Sequence, residues 1–245
     1  MSWQVALLAA LAGYLLGSIP FALIVVRCFG QGKPLRPTEL PIPGTGDMLR
    51  SNAVSATAVR LQLGARYGCL TSILDMSKAA AITLAFKLAY PTEPYFLIAS
   101  GLAVVGHIWP AFNRFRGGRG QSPIIGSLFV IDWPAPFIAY PLAQLLGIAA
   151  CSRAFVGRFG VMLIVAGWLY FRFSSLPHVL YAIGLVVVRI TAMRREIAQY
   201  VRLRKAGTLR TLSDELEFLQ MGEGMTRSIG FLRRQGAKLM RHRRS

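Results

Sequence analysis

GHIWPAFNRFRGGRGQSP, residues Gly106 to Pro123, leaves one apolar block, crosses a loop holding Arg114, Arg116 and Arg119 among Gly117, Gly118 and Gly120, and enters another apolar block. Glycines let successive backbone N–H groups turn toward one point, and guanidinium groups bind phosphate oxygens, often in pairs. Ser122 followed by Pro123 predicts a helix N-cap and first helical position, whose free N–H groups would add to an anion site. The plain alternative is a basic turn between two membrane spans, held on the inner face by its positive charge.

The flanking apolar blocks repeat along the chain. They lie at about residues 4 to 27, 69 to 90, 94 to 112, 122 to 133, 135 to 151, 158 to 174 and 176 to 193, each long enough to be read as a span, some tilted or partly re-entrant. With 54% hydrophobic and only 16% charged residues and a mean hydropathy of +0.48, the 245-residue chain reads as a polytopic membrane protein, all-α, with seven spans. Eleven Lys and Arg fall on the connections after odd-numbered spans and one, Arg172, on the others, which puts the N-terminus outside and the C-terminus in the cytoplasm. The run from Val5 to Val26 has no basic residue before it and is long for a signal peptide, so it is expected to stay as the first span.

The formal charge of +18 would suggest nucleic acid in a soluble protein. Here the arginines cluster at span ends and aromatic residues do not interleave with the basic tail, so lipid headgroups and phosphorylated substrates fit better than bases. Cys28, Cys69 and Cys151 form neither a disulfide framework nor a metal-ligand spacing. No metal or cofactor is expected, and the pattern does not fix an oligomeric state.

In the first block, GYLLGSIPFA (Gly13 to Ala22) offers small residues for close helix packing and a kink at Pro20. The connection from Gly30 to Gly68 is too long to be a simple link; its SNAVSATAVR segment brings Ser51, Ser55, Thr57 and Arg60 to the same face as the glycine loop. Asp75 and Lys78 in ILDMSKAA share a helix face and are read as a bracing pair. His107, at the end of the third block, is expected to satisfy a nearby carbonyl. Arg172 and His178 read as anchors at the outer surface. After residue 193 the chain becomes a basic helix, MRREIAQYVRLRKAG, followed by a segment in which Thr211 and Asp214 form a capping pair and a final stretch suited to lie on anionic lipid. Residues 1–193 are therefore expected to form the membrane domain and residues 194–245 a cytoplasmic tail. No internal repeat is visible.

Taken together, GYLLGSIPFA, the hydroxyl-bearing segment with Ala56-Thr57, ILDMSKAA and GHIWPAFNRFRGGRG resemble, in order and spacing over roughly residues 11 to 196, the bacterial acyl-phosphate:glycerol-3-phosphate acyltransferase family. The resemblance implies a seven-span protein of the inner membrane with its active face in the cytoplasm. Its implied reaction transfers a fatty acyl group from acyl phosphate to the sn-1 hydroxyl of glycerol 3-phosphate, giving lysophosphatidate for phospholipid synthesis. Its implied partners are those two substrates and membrane phospholipids.

On that reading Ser51, Arg60 and Arg119 are catalytic, Thr57, Arg116, Gly117, Gly118 and Gly120 hold substrate phosphate, and Asp75, Lys78, His107 and Glu196 support the site. The family's first motif, GSGNIGATNVLR, meets Ala53 and Ala58 where it has asparagine, and Arg60 stands one place before its arginine. Its FKGGKGVAT motif meets arginine at 116 and 119, a planar fork in place of a compact ammonium. Its third motif meets Met193 in place of histidine and Glu196 in place of asparagine. Glu196 offers a base for the attacking hydroxyl and, equally, a charge that repels phosphates. Two other functions fit parts of the pattern: a degenerate relative that binds a phosphorylated lipid or metabolite without acyl transfer, and a small organic-anion transporter.

Overall fold

The computed structural model describes residues 1–41, 48–151 and 154–207. Its helices are α1 (Trp3–Gly17), α2 (Phe21–Phe29), α3 (Ala56–Leu63), α4 (Ala65–Ala89), α5 (Tyr95–Ile108), α6 (Gln121–Ile131), α7 (Ala135–Cys151), α8 (Ala154–Phe173) and α9 (Leu176–Lys205). The all-helical membrane architecture holds, with one addition. The long first connection folds back as an antiparallel hairpin, β1 (Thr38–Pro41) with β2 (Met48–Ser51), pairing Thr38 with Ser51. Each of the seven apolar blocks falls on helix. Among the described residues four stretches, Trp3–Phe29, Ala65–Ala89, Tyr95–Asn113 and Leu176–Lys205, are long and apolar enough to cross a membrane; Gln121–Ile131 and Leu163–Phe173 are shorter apolar helices. Trp3, Leu7, Leu88, Leu163, Ile183 and Val187 each leave half or more of their surface exposed, the pattern of a bundle solvated by lipid.

The first block breaks where Pro20 removes a backbone donor, so α1 and α2 are separate helices. Above the break α1 lies against α5 with almost no space between backbones. A Cβ on Gly13 would stand 2.3 Å from the Ala99 carbonyl oxygen, one on Gly17 2.2 Å from that of Ala103, and one on Gly106 2.2 Å from that of Tyr14. Close packing is what the small residues of GYLLGSIPFA provide. Tyr14 then donates to the Trp109 carbonyl at 2.9 Å, and Ser18 Oγ accepts from the Ala111 N–H at 3.2 Å, so α1 fixes the start of the glycine loop. A separate apolar cluster around Val104, Ile124, Leu128, Val165 and Leu169 joins α5, α6 and α8.

Side-chain bonds place the connections at two opposite ends of the bundle. The Met1 amine pairs with Glu93 at 3.5 Å, Lys87 donates to the Val130 carbonyl at 2.6 Å, and Trp168 and Arg172 reach Asp132 at 2.6 and 3.4 Å. His178 stacks on Phe173 and faces Phe96. The N-terminus and the turns at 90–95, 132–134 and 173–176 therefore share one end. Ser51, the glycine loop and the far part of α9 share the other. α9 runs unbroken through the expected domain boundary at 193 and continues as the predicted basic helix to Lys205. The expected Thr211–Asp214 cap and the lipid-surface segment lie outside the described residues.

Candidate functional site

The glycine loop begins at a proline. Pro110 ends the helix, Arg114 and Phe115 take left-handed backbone at φ 50° and 57°, and Gly120 takes φ 78°. Gly120 itself is the N-cap of α6, with no side-chain cap, so the helix starts at Gln121, earlier than Ser122 and Pro123 suggested. Pro123 sits in the first turn, where its missing N–H costs nothing. Gly117 and Gly118 are required for close approach. A Cβ on Gly117 would lie 2.1 Å from the His107 carbonyl oxygen, and one on Gly118 would lie 2.2 Å from His107 Nε2. The Gly118 N–H donates to the His107 carbonyl at 3.1 Å, and the Gly117 carbonyl accepts from the Val54 N–H at 3.0 Å. The loop is thus clamped between the end of α5 and the segment that follows β2.

His107 does not behave as a lone carbonyl-binding histidine. Its Nδ1 stands 3.3 Å from Asp75 Oδ1 and 3.2 Å from Lys78 Nζ. Lys78 Nζ also lies 2.9 Å from Asp75 Oδ1 and donates at 2.7 Å to the Ile19 carbonyl, which the break at Pro20 leaves beyond the helical ladder. Both members of the pair are buried, Asp75 2% and Lys78 5% exposed. The expected bracing pair is a three-residue network that ties α4 to the α1–α2 break and to the histidine beneath Gly118.

Arg119 is the centre of the site. Its Nη2 donates to Ser51 Oγ at 3.1 Å and lies 2.8 Å from Glu196 Oε1, to which its Nε donates at 3.0 Å. Three segments far apart in sequence, the end of β2, the glycine loop and the C-terminal part of α9, converge on one guanidinium. They surround a cavity of about 640 Å³, lined among others by Ser51, Arg116, Arg119, Arg194, Arg195 and Glu196. Four guanidiniums and one carboxylate among the described lining residues leave an excess of positive charge, the field a phosphate monoester needs. Glu196 Oε2 is buried and accepts no hydrogen bond among the described residues. Ile108, Trp109 and Ala192 complete the wall, so the cavity is polar on one side and apolar on the other.

Not every expected residue arrives. Thr57 and Arg60 lie on α3, outside the cavity lining, and Arg60 packs its Cβ where Gly68 of α4 leaves room. Gly120 sits behind the loop, against Ile108 and Val104. Met193, in the position of the expected histidine, is buried in the bundle. One residue goes unremarked in the sequence reading: Arg189, 2% exposed, donates through Nη1 to the Arg119 carbonyl at 3.3 Å. Its signal was visible in VVVRITAM, a single charge inside an apolar run, which marks function or a firm partner in a membrane.

Fold and cavity together define an integral membrane protein with a guanidinium-lined cavity at one end of its helical bundle. Residues 7–204 match the family model for glycerol-3-phosphate acyltransferase, and the chain belongs to that family. It is 34% identical over 174 residues to the glycerol-3-phosphate acyltransferase of Rhodospirillum rubrum, covering 68% of this chain and 65% of that relative. It is 32% identical over 198 residues to that of Synechococcus sp. strain JA-3-3Ab, covering 80% and 90%. Its fold is similar to the crystal structure of PlsY (YgiH), an integral membrane glycerol 3-phosphate acyltransferase, in the glycerol 3-phosphate form. There the TM-score is 0.65 at 24% identity, over 81% of this chain and 93% of that one.

Proposed function

We propose that this protein transfers a fatty acyl group from acyl phosphate to the sn-1 hydroxyl of glycerol 3-phosphate, releasing inorganic phosphate and giving lysophosphatidate for phospholipid synthesis. The observation that carries the reading is the convergence of Ser51, Arg119 and Glu196 on a basic cavity at the end of an apolar bundle. Arg116 and Arg119, with the N–H of Gly117, hold phosphate oxygens. Ser51 keeps the Arg119 fork turned toward the cavity. In the transfer step the glycerol oxygen attacks the acyl carbonyl carbon, the bond from that carbon to the phosphate oxygen breaks, and the hydroxyl proton passes to the Glu196 carboxylate and on to the departing phosphate. Repulsion between Glu196 and the substrates is offset by the surrounding arginines. Arg189 holds the loop carbonyl and so positions Arg119.

On this reading the chain crosses a bacterial inner membrane seven times, N-terminus outside, with the cavity on the cytoplasmic face. α9 links the membrane domain to a cytoplasmic tail, and membrane phospholipid surrounds the bundle. The test offers purified protein acyl phosphate, acyl carrier protein and acyl-CoA donors side by side. Turnover with acyl phosphate alone, only when glycerol 3-phosphate is present, is the expected result. Glu196→Gln is expected to keep glycerol 3-phosphate binding while lowering kcat by about 10²-fold, within the range for general bases. An unchanged kcat removes the base assignment. Tight binding of glycerol 3-phosphate with no turnover from any donor replaces the enzyme by a binding protein.

A further inference from the structure

Helix lengths place the glycine loop short of the membrane boundary on its side. From the end that carries the Met1–Glu93 pair, α1 has 15 residues and α5 has 14, about 21–22 Å at the α-helical rise, before Ser18 and Ala111 join them at the loop. α6, which leads back from the loop, has 11, about 16 Å. Along α4 the stretch from Asp75, which faces His107, to the last residue Ala89 is again about 21 Å. A hydrocarbon core is about 30 Å thick. α4 runs on past Asp75 to Ala65, about 15 Å more, and α2 follows it, from Ile19 at Lys78 to Phe29 packed on Tyr67 with ring centroids 4.9 Å apart. Both carry exposed apolar side chains on that continuation, Ile24, Phe29 and Ile73. The apolar surface of the bundle thus extends beyond the level of the loop.

The tip of the loop, Ala111 to Arg116, leaves this level and returns to it. The Phe115 N–H donates to the Pro110 carbonyl at 3.0 Å, the Arg116 N–H to that of Asn113 at 2.9 Å, and the Gly118 N–H to that of His107 at 3.1 Å. The tip therefore projects by about one helical turn, roughly 5 Å, and stays within the thickness of the hydrocarbon core. Phe112 and Phe115 each leave 62% of their surface uncovered. Left-handed backbone at Arg114 and Phe115, which residues with side chains adopt only at a cost, holds them in that presentation. We propose that the loop tip is a membrane anchor, with Phe112 and Phe115 set among the lipid chains of the leaflet at the cavity end of the bundle, just beneath its headgroups. Arg114, exposed between them, has a stem long enough to carry its guanidinium up to the lipid phosphates. Phe115 also lines the polar cavity, so the rim of that cavity meets lipid directly. The anchor rests on depth and exposure and stands apart from the acyl-transfer reading.

The test uses the full chain in nanodiscs of phosphatidylglycerol and phosphatidylcholine. A nitroxide label is attached at Phe112→Cys or at Phe115→Cys, in a background of Cys28→Ser, Cys69→Ser and Cys151→Ser. Its relaxation is measured with molecular oxygen, which concentrates among lipid chains, and with a water-soluble nickel chelate. Ile183→Cys, half exposed on the side of α9, is the lipid control, and Arg202→Cys, exposed about 39 Å along the same helix, is the water control. Both loop labels are expected to show an oxygen-to-nickel ratio at least about threefold above that at position 202, as a side chain at the chain–headgroup boundary does. A ratio no higher than at 202 means that the tip stands in water, and shielding from both reagents means that protein covers it; either result overturns the anchor. Phe112→Trp keeps an aromatic ring and leaves the cysteines in place, and so provides a check free of the label. The emission it adds to that of the four native tryptophans should be quenched by phospholipid brominated on its chains and spared by iodide in the water. Quenching by iodide and not by bromolipid overturns the proposal.

Discussion

Arg119→Ala is expected to lower acyl transfer by at least about 10²- to 10³-fold, the usual loss when a positioned donor to a developing charge is removed. The expectation follows from what Arg119 holds. One guanidinium binds Ser51 Oγ at 3.1 Å and Glu196 Oε1 at 2.8 Å, and its carbonyl is in turn held by Arg189. Truncation removes the phosphate ligand, frees Ser51 and leaves the Glu196 carboxylate half-buried without its counter-charge. The site then turns from attractive to less so for two phosphorylated substrates at once. Arg119→Lys separates charge from geometry. An ammonium keeps the charge but cannot span Ser51 and Glu196 as the planar fork does, so its activity should fall between the wild type and the alanine variant. Glycerol 3-phosphate-dependent consumption of acyl phosphate reads all three, and an alanine variant within about threefold of the wild type would sink the assignment of Arg119 to transition-state charge.

Lys78→Met is expected to cost about 3–5 kcal/mol of stability, because it strands a buried carboxylate. Asp75 is 2% exposed and has Lys78 at 2.9 Å and His107 at 3.3 Å. Removing the lysine also takes one of two donors from the Ile19 carbonyl at the break between α1 and α2, leaving it the Phe21 N–H at 3.1 Å. The double variant Asp75→Leu/Lys78→Met, apolar throughout, should recover most of the loss, since a buried pair replaced whole is often neutral. Thermal unfolding in detergent micelles is the measurement. Activity should fall in the single variant even below its unfolding temperature, because the His107 ring that seats Gly118 loses a partner. A single variant as stable as the wild type would mean that the network braces nothing.

Much of this architecture is readable in the chain alone, since long apolar blocks and one-sided arginines constrain a membrane bundle strongly. Helix positions follow from the blocks, and the break at Pro20 follows from its missing N–H. The glycine loop is recognisable because only glycine permits the approach to His107 seen at 117 and 118. What local pattern does not carry is which distant segments meet. Ser51 and Arg119 are 68 residues apart, and Arg119 and Glu196 are 77. Helical neighbours of Ser51 in the motif, Thr57 and Arg60, looked equally suited, yet α3 turns them away from the cavity. The hairpin that delivers Ser51 is equally hidden: TELP and MLRS are too short and too mixed to show strand alternation. Arg189 shows as a charge inside an apolar run, but its partner, the Arg119 carbonyl 70 residues away, does not.

Calorimetric titration of glycerol 3-phosphate and, separately, of glycerol into the detergent-purified protein and its Arg119→Ala variant tests most directly whether the cavity exists to grip a phosphate monoester. Saturable binding of glycerol 3-phosphate to the wild type, weakened by salt, absent for glycerol and lost in the variant, is the predicted result. Equal binding of glycerol 3-phosphate by both proteins, or binding of glycerol as tight as that of its phosphate, would contradict it.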